Sequence, residues 1–129
     1  MIYDSGHETV LNVVKVKILA ALPDILAIYV FGSFGTRYER NDSDLDVAIL
    51  PIKMQDPVAL WNLAQEIAIE IHKDFDLIDL LKASTIFRHQ IISTGTRIYC
   101  SDEVGCAFTE NYYLSMYLRF KEDRALWMM

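Results

Sequence analysis

Positive charge is in short supply in this chain. Twelve Lys and Arg stand against eighteen Asp and Glu, for a net charge of −6 and a pI near 4.9. A protein that grips nucleic acid through a basic surface needs the opposite balance, so direct DNA binding is not expected. Long hydrophobic runs are missing as well. The longest, Ile25 to Phe31, has seven residues, against the roughly 20 that span a bilayer. The opening MIYDSGHETV has no basic region leading into an apolar block, as a secretory signal would. A cytoplasmic protein without a membrane partner is therefore expected. Cysteine is limited to Cys100 and Cys106. With no second pair and no nearby His they cannot form a zinc site, and although a bond between them is geometrically possible, a reducing cytosol makes both ordinary small residues. His7, His72 and His89 are scattered without ligand spacing and read as surface or partly buried. Linkers, repeats and low-complexity stretches are absent.

What is present is core material. Hydrophobic residues make up 53% of 129 residues, enough for one domain, 1–129, with little room for disorder. Apolar positions at helical spacing run through residues 8–22 until Pro23-Asp24 ends the helix. A buried strand follows at 25–31 and a second at 44–50. Asp56-Pro57 opens the next helix as N-cap and first helical residue. Its core face is Leu60, Leu63, Ala64, Ile67 and Ile71, with Trp61 read as core too. A third strand is expected at 75–81, a helix from the N-cap Ser84 to Gly95, and a short strand or extended edge at 97–100. A last helix covers about 103–125. Its aromatic residues (Tyr112, Tyr113, Tyr117, Phe120) with Met116, Leu114 and Leu118 make it apolar nearly all round, so burial on more than one side is the expectation, either wholly in the core or with one side against a second copy or another partner. The pattern is α/β (α+β): a small mixed β-sheet packed against helices.

The chemistry concentrates in IYVFGSFGTRYERNDSDLDVAIL, residues 28–50. An apolar strand ends in Gly32-Ser33. Ten residues later Asp44-Leu45-Asp46 opens another apolar strand. Side chains at i and i+2 of a strand share a face, so Asp44 and Asp46 present two carboxylates to one spot while Leu45 and Val47 turn inward. Two like charges that close require a cation or a retained proton. Hard oxygen donors beside a phosphate-sized pocket suit Mg²⁺ that also holds substrate phosphates. Gly32 lets backbone approach a ligand, Ser33 adds a hydroxyl and an N–H, and a short helix from Phe34 would aim its dipole at the same anion. Arg37 and Arg40, in the loop that follows, are placed to meet further phosphate oxygens.

Two metals would require a third carboxylate. The source is Asp74-Phe75-Asp76-Leu77-Ile78-Asp79-Leu80. A carboxylate inside a buried strand is costly unless paired or metal-bound. Asp76, early in the strand, ranks first; Asp79 ranks second and Asp74, as a solvated turn residue, third.

This constellation resembles the minimal nucleotidyltransferases of the DNA polymerase β-like superfamily. Gly32, Ser33, Asp44 and Asp46 match their signature position for position, with Gly35-Thr36-Arg37 in the spacer, Ser43 before the first Asp, and the FDLIDL strand. The likeness covers about residues 10–100. It implies that fold, and transfer of a nucleoside monophosphate from a nucleoside triphosphate, with ATP as substrate and two Mg²⁺ ions. Asp44 and Asp46 would hold the metals, and Asp76 would ligate one and help deprotonate an acceptor hydroxyl. Gly32, Ser33, Arg37, Arg40 and Ser43 would bind nucleotide, with Ser33 counted among the catalytic residues.

Members of this family are similar to antitoxins paired with a HEPN ribonuclease encoded nearby, some of which place AMP on a tyrosine of that toxin. The resemblance thus implies an antitoxin that adenylylates its partner. Because 129 residues leave no separate acceptor domain, the acceptor would be another molecule docked on the last helix. The alternatives are an antitoxin that blocks its toxin sterically and a small-molecule, aminoglycoside-type nucleotidyltransferase.

Overall fold

The protein is described by a computed structural model covering residues 3–128. Its elements are α1 (Ser5–Ala21), β1 (Ala27–Phe31), β2 (Leu45–Leu50), α2 (Pro57–Ile71), β3 (Phe75–Asp79), a 3₁₀ turn (Leu80–Lys82), α3 (Thr85–Thr94), β4 (Thr96–Cys100) and α4 (Glu103–Trp127). The caps follow the local sequence. Asp56 accepts from the N–H of Ala59 with Pro57 behind it, and Ser84 accepts from the N–H of Phe87. The first helix starts three residues before its expected boundary, because Asp4 caps it and accepts from the N–H of His7.

The strands form one mixed sheet in the order β3-β2-β1-β4. β1 runs antiparallel to β2 and β4, while β2 and β3 are parallel. Both faces are covered. On one, Ile28, Val30, Val47, Ile49, Phe75 and Leu77 pack with Val14 and Ile18 of α1 and with Leu63 and Ile67 of α2. On the other, Tyr29, Ala48 and Leu50 pack with Ile91 of α3 and with Cys106 and Tyr113 of α4. This near-continuous burial explains why the central strands read as apolar runs rather than as alternating patterns.

Two expectations, for Trp61 and for the cysteines, are corrected. Trp61 is not in the core: its side chain is 63% exposed. The buried stripe of α2 follows Leu63, Ala64 and Ile67, and Trp61 falls to its flank, where it lines a groove with Phe75, Leu77 and Lys82 of the β3 edge. The last helix buries only Cys106 and Tyr113 deeply, leaving Phe108, Tyr112, Leu118, Leu126 and Trp127 open to solvent. Cys100 and Cys106 are joined as a disulfide, because the turn after β4 brings the end of that strand to the first turns of α4 with Cα atoms 6.6 Å apart.

Polar contacts fasten α4 to the sheet. The buried Tyr29 hydroxyl donates to Glu110 at 2.5 Å, and Arg97 of β4 bridges Glu110 and Glu103 at 3.0 and 2.8 Å. Burial first, then Glu110, raises the Tyr29 phenol far above its ordinary value, so it acts purely as a donor. Arg88 of α3 donates to the carbonyls of Leu80 and Leu81 and lies over the Tyr113 ring. Tyr29→Phe keeps the ring and its packing but removes the donor to a charged acceptor. It should cost about 1.5–3 kcal/mol in urea denaturation at unchanged m-value.

Candidate functional site

Register builds the site. Phe31 lies opposite Asp46 on the antiparallel side of β2, and Asp76 lies beside Asp46 on its parallel side. The C-terminal end of β1 and the N-terminal ends of β2 and β3 therefore meet at one end of the sheet. Leu45 and Val47 are fully buried, so Asp46 is turned to the opposite face, with Ala48 and Leu50. Asp76 shares that face with Ile78. Asp44 sits just before the strand, exposed to solvent.

Gly32 is essential to this arrangement. It has φ +78°, and a Cβ there would run into the Asp46 carboxylate. The turn thus needs a residue that tolerates the left-handed region and leaves room for the aspartate. Gly35, at φ +77°, makes a second left-handed position two residues after Ser33. These two positions explain a difference from expectation. No helix starts at Phe34; residues 32–35 form consecutive turns, closed by the Thr36 N–H donating to the Ser33 carbonyl at 2.9 Å. Any anion held here meets turn N–H groups and the Ser33 hydroxyl, without a helix dipole behind them.

The remaining loop residues are partly committed to the loop itself. The Arg37 guanidinium donates to the Tyr38 hydroxyl at 2.7 Å and lies over its ring. Ser43 accepts from the Arg40 N–H at 2.8 Å while its own N–H returns to the Arg40 carbonyl, closing a turn just before Asp44. The Lys73 ammonium donates to the Ser43 carbonyl at 2.7 Å, and the Leu45 N–H to the Asp74 carbonyl at 2.9 Å, so the approach to β3 is tied to the approach to β2.

The acidic candidates separate cleanly. Asp79 is buried, on the face opposite Asp76, and its oxygens accept from the N–H groups of Gln55 and Leu81 at 2.8 and 2.9 Å. It caps the 3₁₀ turn and is spent structurally. Asp74 is an exposed turn residue. Asp76 is the acidic residue of β3 that adjoins Asp46. Burial first, then the like charges of Asp76 and Asp44, hold the Asp46 carboxyl above its ordinary value.

That unrelieved repulsion is a property of a cation site. Among the described residues no three His, Cys, Asp or Glu side chains close on a single point as a ready metal cage. The donor set nevertheless fits a hard divalent ion: oxygens only, two of three exposed, on adjacent strand ends. A magnesium site that keeps several waters and completes its shell with substrate phosphates asks for little more. No helix of the described residues is long and apolar enough to cross a membrane.

Sequence reasoning missed His7 and Glu39, whose side chains bond to each other, with Glu39 also accepting from the Gly35 N–H. The partners are 32 residues apart, and no local spacing announces them.

Comparison with known proteins identifies the family. The family described as Polymerase beta, Nucleotidyltransferase matches residues 15–104. The protein adenylyltransferase MntA of Shewanella oneidensis is 32% identical over 103 residues, covering 80% of this chain and 73% of MntA. A chain of a toxin-antitoxin crystal structure with AMP-PNP superposes with a TM-score of 0.83 at 28% identity, over 91% of this chain and 94% of that one. A chain from a structure of the tri-AMPylated Shewanella oneidensis HEPN toxin in complex with MNT antitoxin gives 0.81 at 27% identity, over 94% of each. With the Gly-Ser turn, the aspartate pair and the mixed sheet all in place, the chain belongs to the polymerase beta nucleotidyltransferase family.

Proposed function

We propose that this protein is an antitoxin acting as one nucleotidyltransferase domain, which moves AMP from ATP to a hydroxyl, a tyrosine's, on a cognate HEPN-type toxin and so neutralises it. The observation that carries the reading is the row of Asp46 and Asp76, in register on adjacent strands, beside a Gly32-Ser33 turn that leaves space for the Asp46 carboxylate. The likeness to MntA and to toxin–antitoxin structures supports the acceptor class. A cytoplasmic setting suits both partners.

In this reading Gly32 and Ser33 receive phosphate oxygens on backbone N–H groups and the Ser33 hydroxyl. Arg37, released from Tyr38, and Arg40 neutralise the outer phosphates, and Ser43 keeps the loop turned toward Asp44. Asp44, Asp46 and Asp76 would hold two Mg²⁺ ions, which supply charge neutralisation at the α-phosphate and lower the proton affinity of the acceptor oxygen. The toxin hydroxyl attacks the α-phosphorus in line and its proton passes to the Asp76 carboxylate. A new O–P bond forms as the bond to the bridging oxygen of the β-phosphate breaks, and pyrophosphate leaves with that electron pair. The acceptor arrives on the toxin, which docks on α4 of this chain with its exposed Phe108, Tyr112, Leu118 and Trp127.

Two experiments test this. Intact-mass analysis of the co-expressed partner after incubation with Mg-ATP should show AMP-sized additions. Asp44→Asn, Asp46→Asn and Asp76→Asn should each reduce the rate about a thousandfold or more. A stable complex with no added mass would instead mark a sterically blocking antitoxin. The second experiment is electrostatic. The folded chain holds the Asp46 proton more tightly than the unfolded chain does, so this group favours folding at low pH and loses that contribution as pH rises through its folded-state pKa. Asp46→Asn should therefore raise the metal-free Tm at pH 7, with the gain vanishing in acid. Added Mg²⁺ should stabilise the parent protein and not the variant.

A further inference from the structure

The loop from Gly32 to Ser43 has no helix of its own to hold it, yet its middle is firmly fixed. A single oxygen does this. Oε1 of Glu39 accepts from the Gly35 N–H at 2.7 Å and from Nε2 of His7 at 2.9 Å. His7 is aimed by the start of α1. Its Nδ1 accepts from the Asp4 N–H at 3.1 Å, which leaves the ring proton on Nε2, pointing at Glu39. The Asp4 carboxylate in turn accepts from the His7 N–H at 2.8 Å, completing a reciprocal cap. Both side chains of the pair are largely buried, with 21% and 23% exposure.

Apolar contacts reinforce the same point. Phe34, only 4% exposed, packs edge-on against His7 at 4.7 Å and at a tilt against Tyr3 at 5.9 Å. The Tyr3 ring occupies the space a Cβ on Gly35 would need. The first turn of α1 thus grips the loop from one side while Asp46 limits it at Gly32.

We propose that His7 and Glu39 form a clamp that sets the shape of this loop for nucleotide, making both of them positioning residues. Neither is placed at the carboxylate row, and neither touches the reacting atoms. This inference rests on the proposed function for the identity of the ligand, but the clamp itself can be tested without it. In the geometry, the Gly35 N–H is directed inward to Glu39. The turn N–H groups nearer Ser33 then remain as those that face an incoming phosphate. Losing the pair frees Gly35, and with it the relative orientation of Ser33 and Asp46.

Three variants of the full chain separate the clamp from the helix cap. His7→Glu retains an acceptor for the Asp4 N–H, so the reciprocal cap survives, but it sets a carboxylate against Glu39. Glu39→Ala removes the shared oxygen. Glu39→Gln keeps an acceptor for both donors, and combined with His7→Glu it supplies an amide N–H to the new carboxylate, so that the double variant should recover. Two readouts are used: native-state trypsin cleavage after Arg37 and Arg40, and affinity for Mg·AMP-PNP. In His7→Glu and Glu39→Ala, cleavage should accelerate about tenfold and nucleotide should bind about tenfold more weakly. Tm should move little, and Glu39→Gln and the double variant should stay close to the parent protein in both readouts. Unchanged cleavage in the first two variants would overturn the clamp. Faster cleavage with parental nucleotide affinity would show that the pair orders the loop without positioning nucleotide, which also overturns the proposal. A parent protein that binds no nucleotide would instead overturn the proposed function, with cleavage still deciding whether the clamp exists.

Discussion

The alignment of Phe31, Asp46 and Asp76 across three adjacent strands constrains everything else in this molecule. A slip of one residue in β2 would send Asp46 into the layer beneath α1 and α2 and turn Leu45 and Val47 toward the other face. The chain resists that slip by burial. Leu45, Val47 and Ile49 are fully buried against one helical layer, and Ala48 and Leu50 against the other. Both sets of contacts would be exchanged at once. Hydrophobic packing in the middle of the sheet thereby holds three acidic groups together at its end, where their mutual repulsion would otherwise separate them. The same register explains the glycine beside them, since the Asp46 carboxylate fills the volume of a side chain at position 32.

Much of this was legible in the residues because it depends on short-range chemistry. Asp56-Pro57 and Ser84 cap helices where their side chains can reach a backbone N–H two or three positions on. The i, i+2 spacing of Asp44 and Asp46 is a property of any strand. Asp76 ranks above Asp79 for its early place in the strand, and the register sets it beside Asp46, while Asp79 points to the other face and caps the following turn. What failed was less local. The expected helix at Phe34 ignored Gly35, whose left-handed backbone ends any helical run. The helical register that suggests a core place for Trp61 is too coarse, since its angular position lies beside the buried stripe of α2 rather than within it. The pairing of Cys100 with Cys106 depends on the turn after β4 reversing the chain, and nothing about the two cysteines themselves announces that.

Stability and chemistry are distributed over different parts of the sheet. Asp46 is held above its ordinary pKa by burial and by its acidic neighbours, a cost carried by the end of the sheet near Gly32. At the other end, Ala27, Leu50 and Cys100 are aligned, and there the disulfide begins the attachment of α4. The bonds from Tyr29 and Arg97 to Glu110 continue it across the sheet. These contacts need no cation and cost no repulsion. Such a division is the expected pattern for a fold that tolerates local strain at a site because the surrounding structure over-determines it.

The loop between β1 and β2 shows why the first turn of α1 belongs with the site although it contributes nothing to the carboxylate row. A phosphate-binding loop that leads into a helix inherits rigidity from the helix's own hydrogen bonds. This loop leads into further turns and then returns to a strand, so its order has to be supplied from elsewhere. The Tyr3, Asp4 and His7 segment supplies it through the Tyr3 and His7 rings packed on Phe34 and through the His7 bond to the Glu39 oxygen that also holds Gly35. The sequence signature of Gly-Ser and Asp-x-Asp is therefore only the inner layer of the site. An outer layer, lying about 30 residues earlier in the chain, determines whether the inner one keeps its shape.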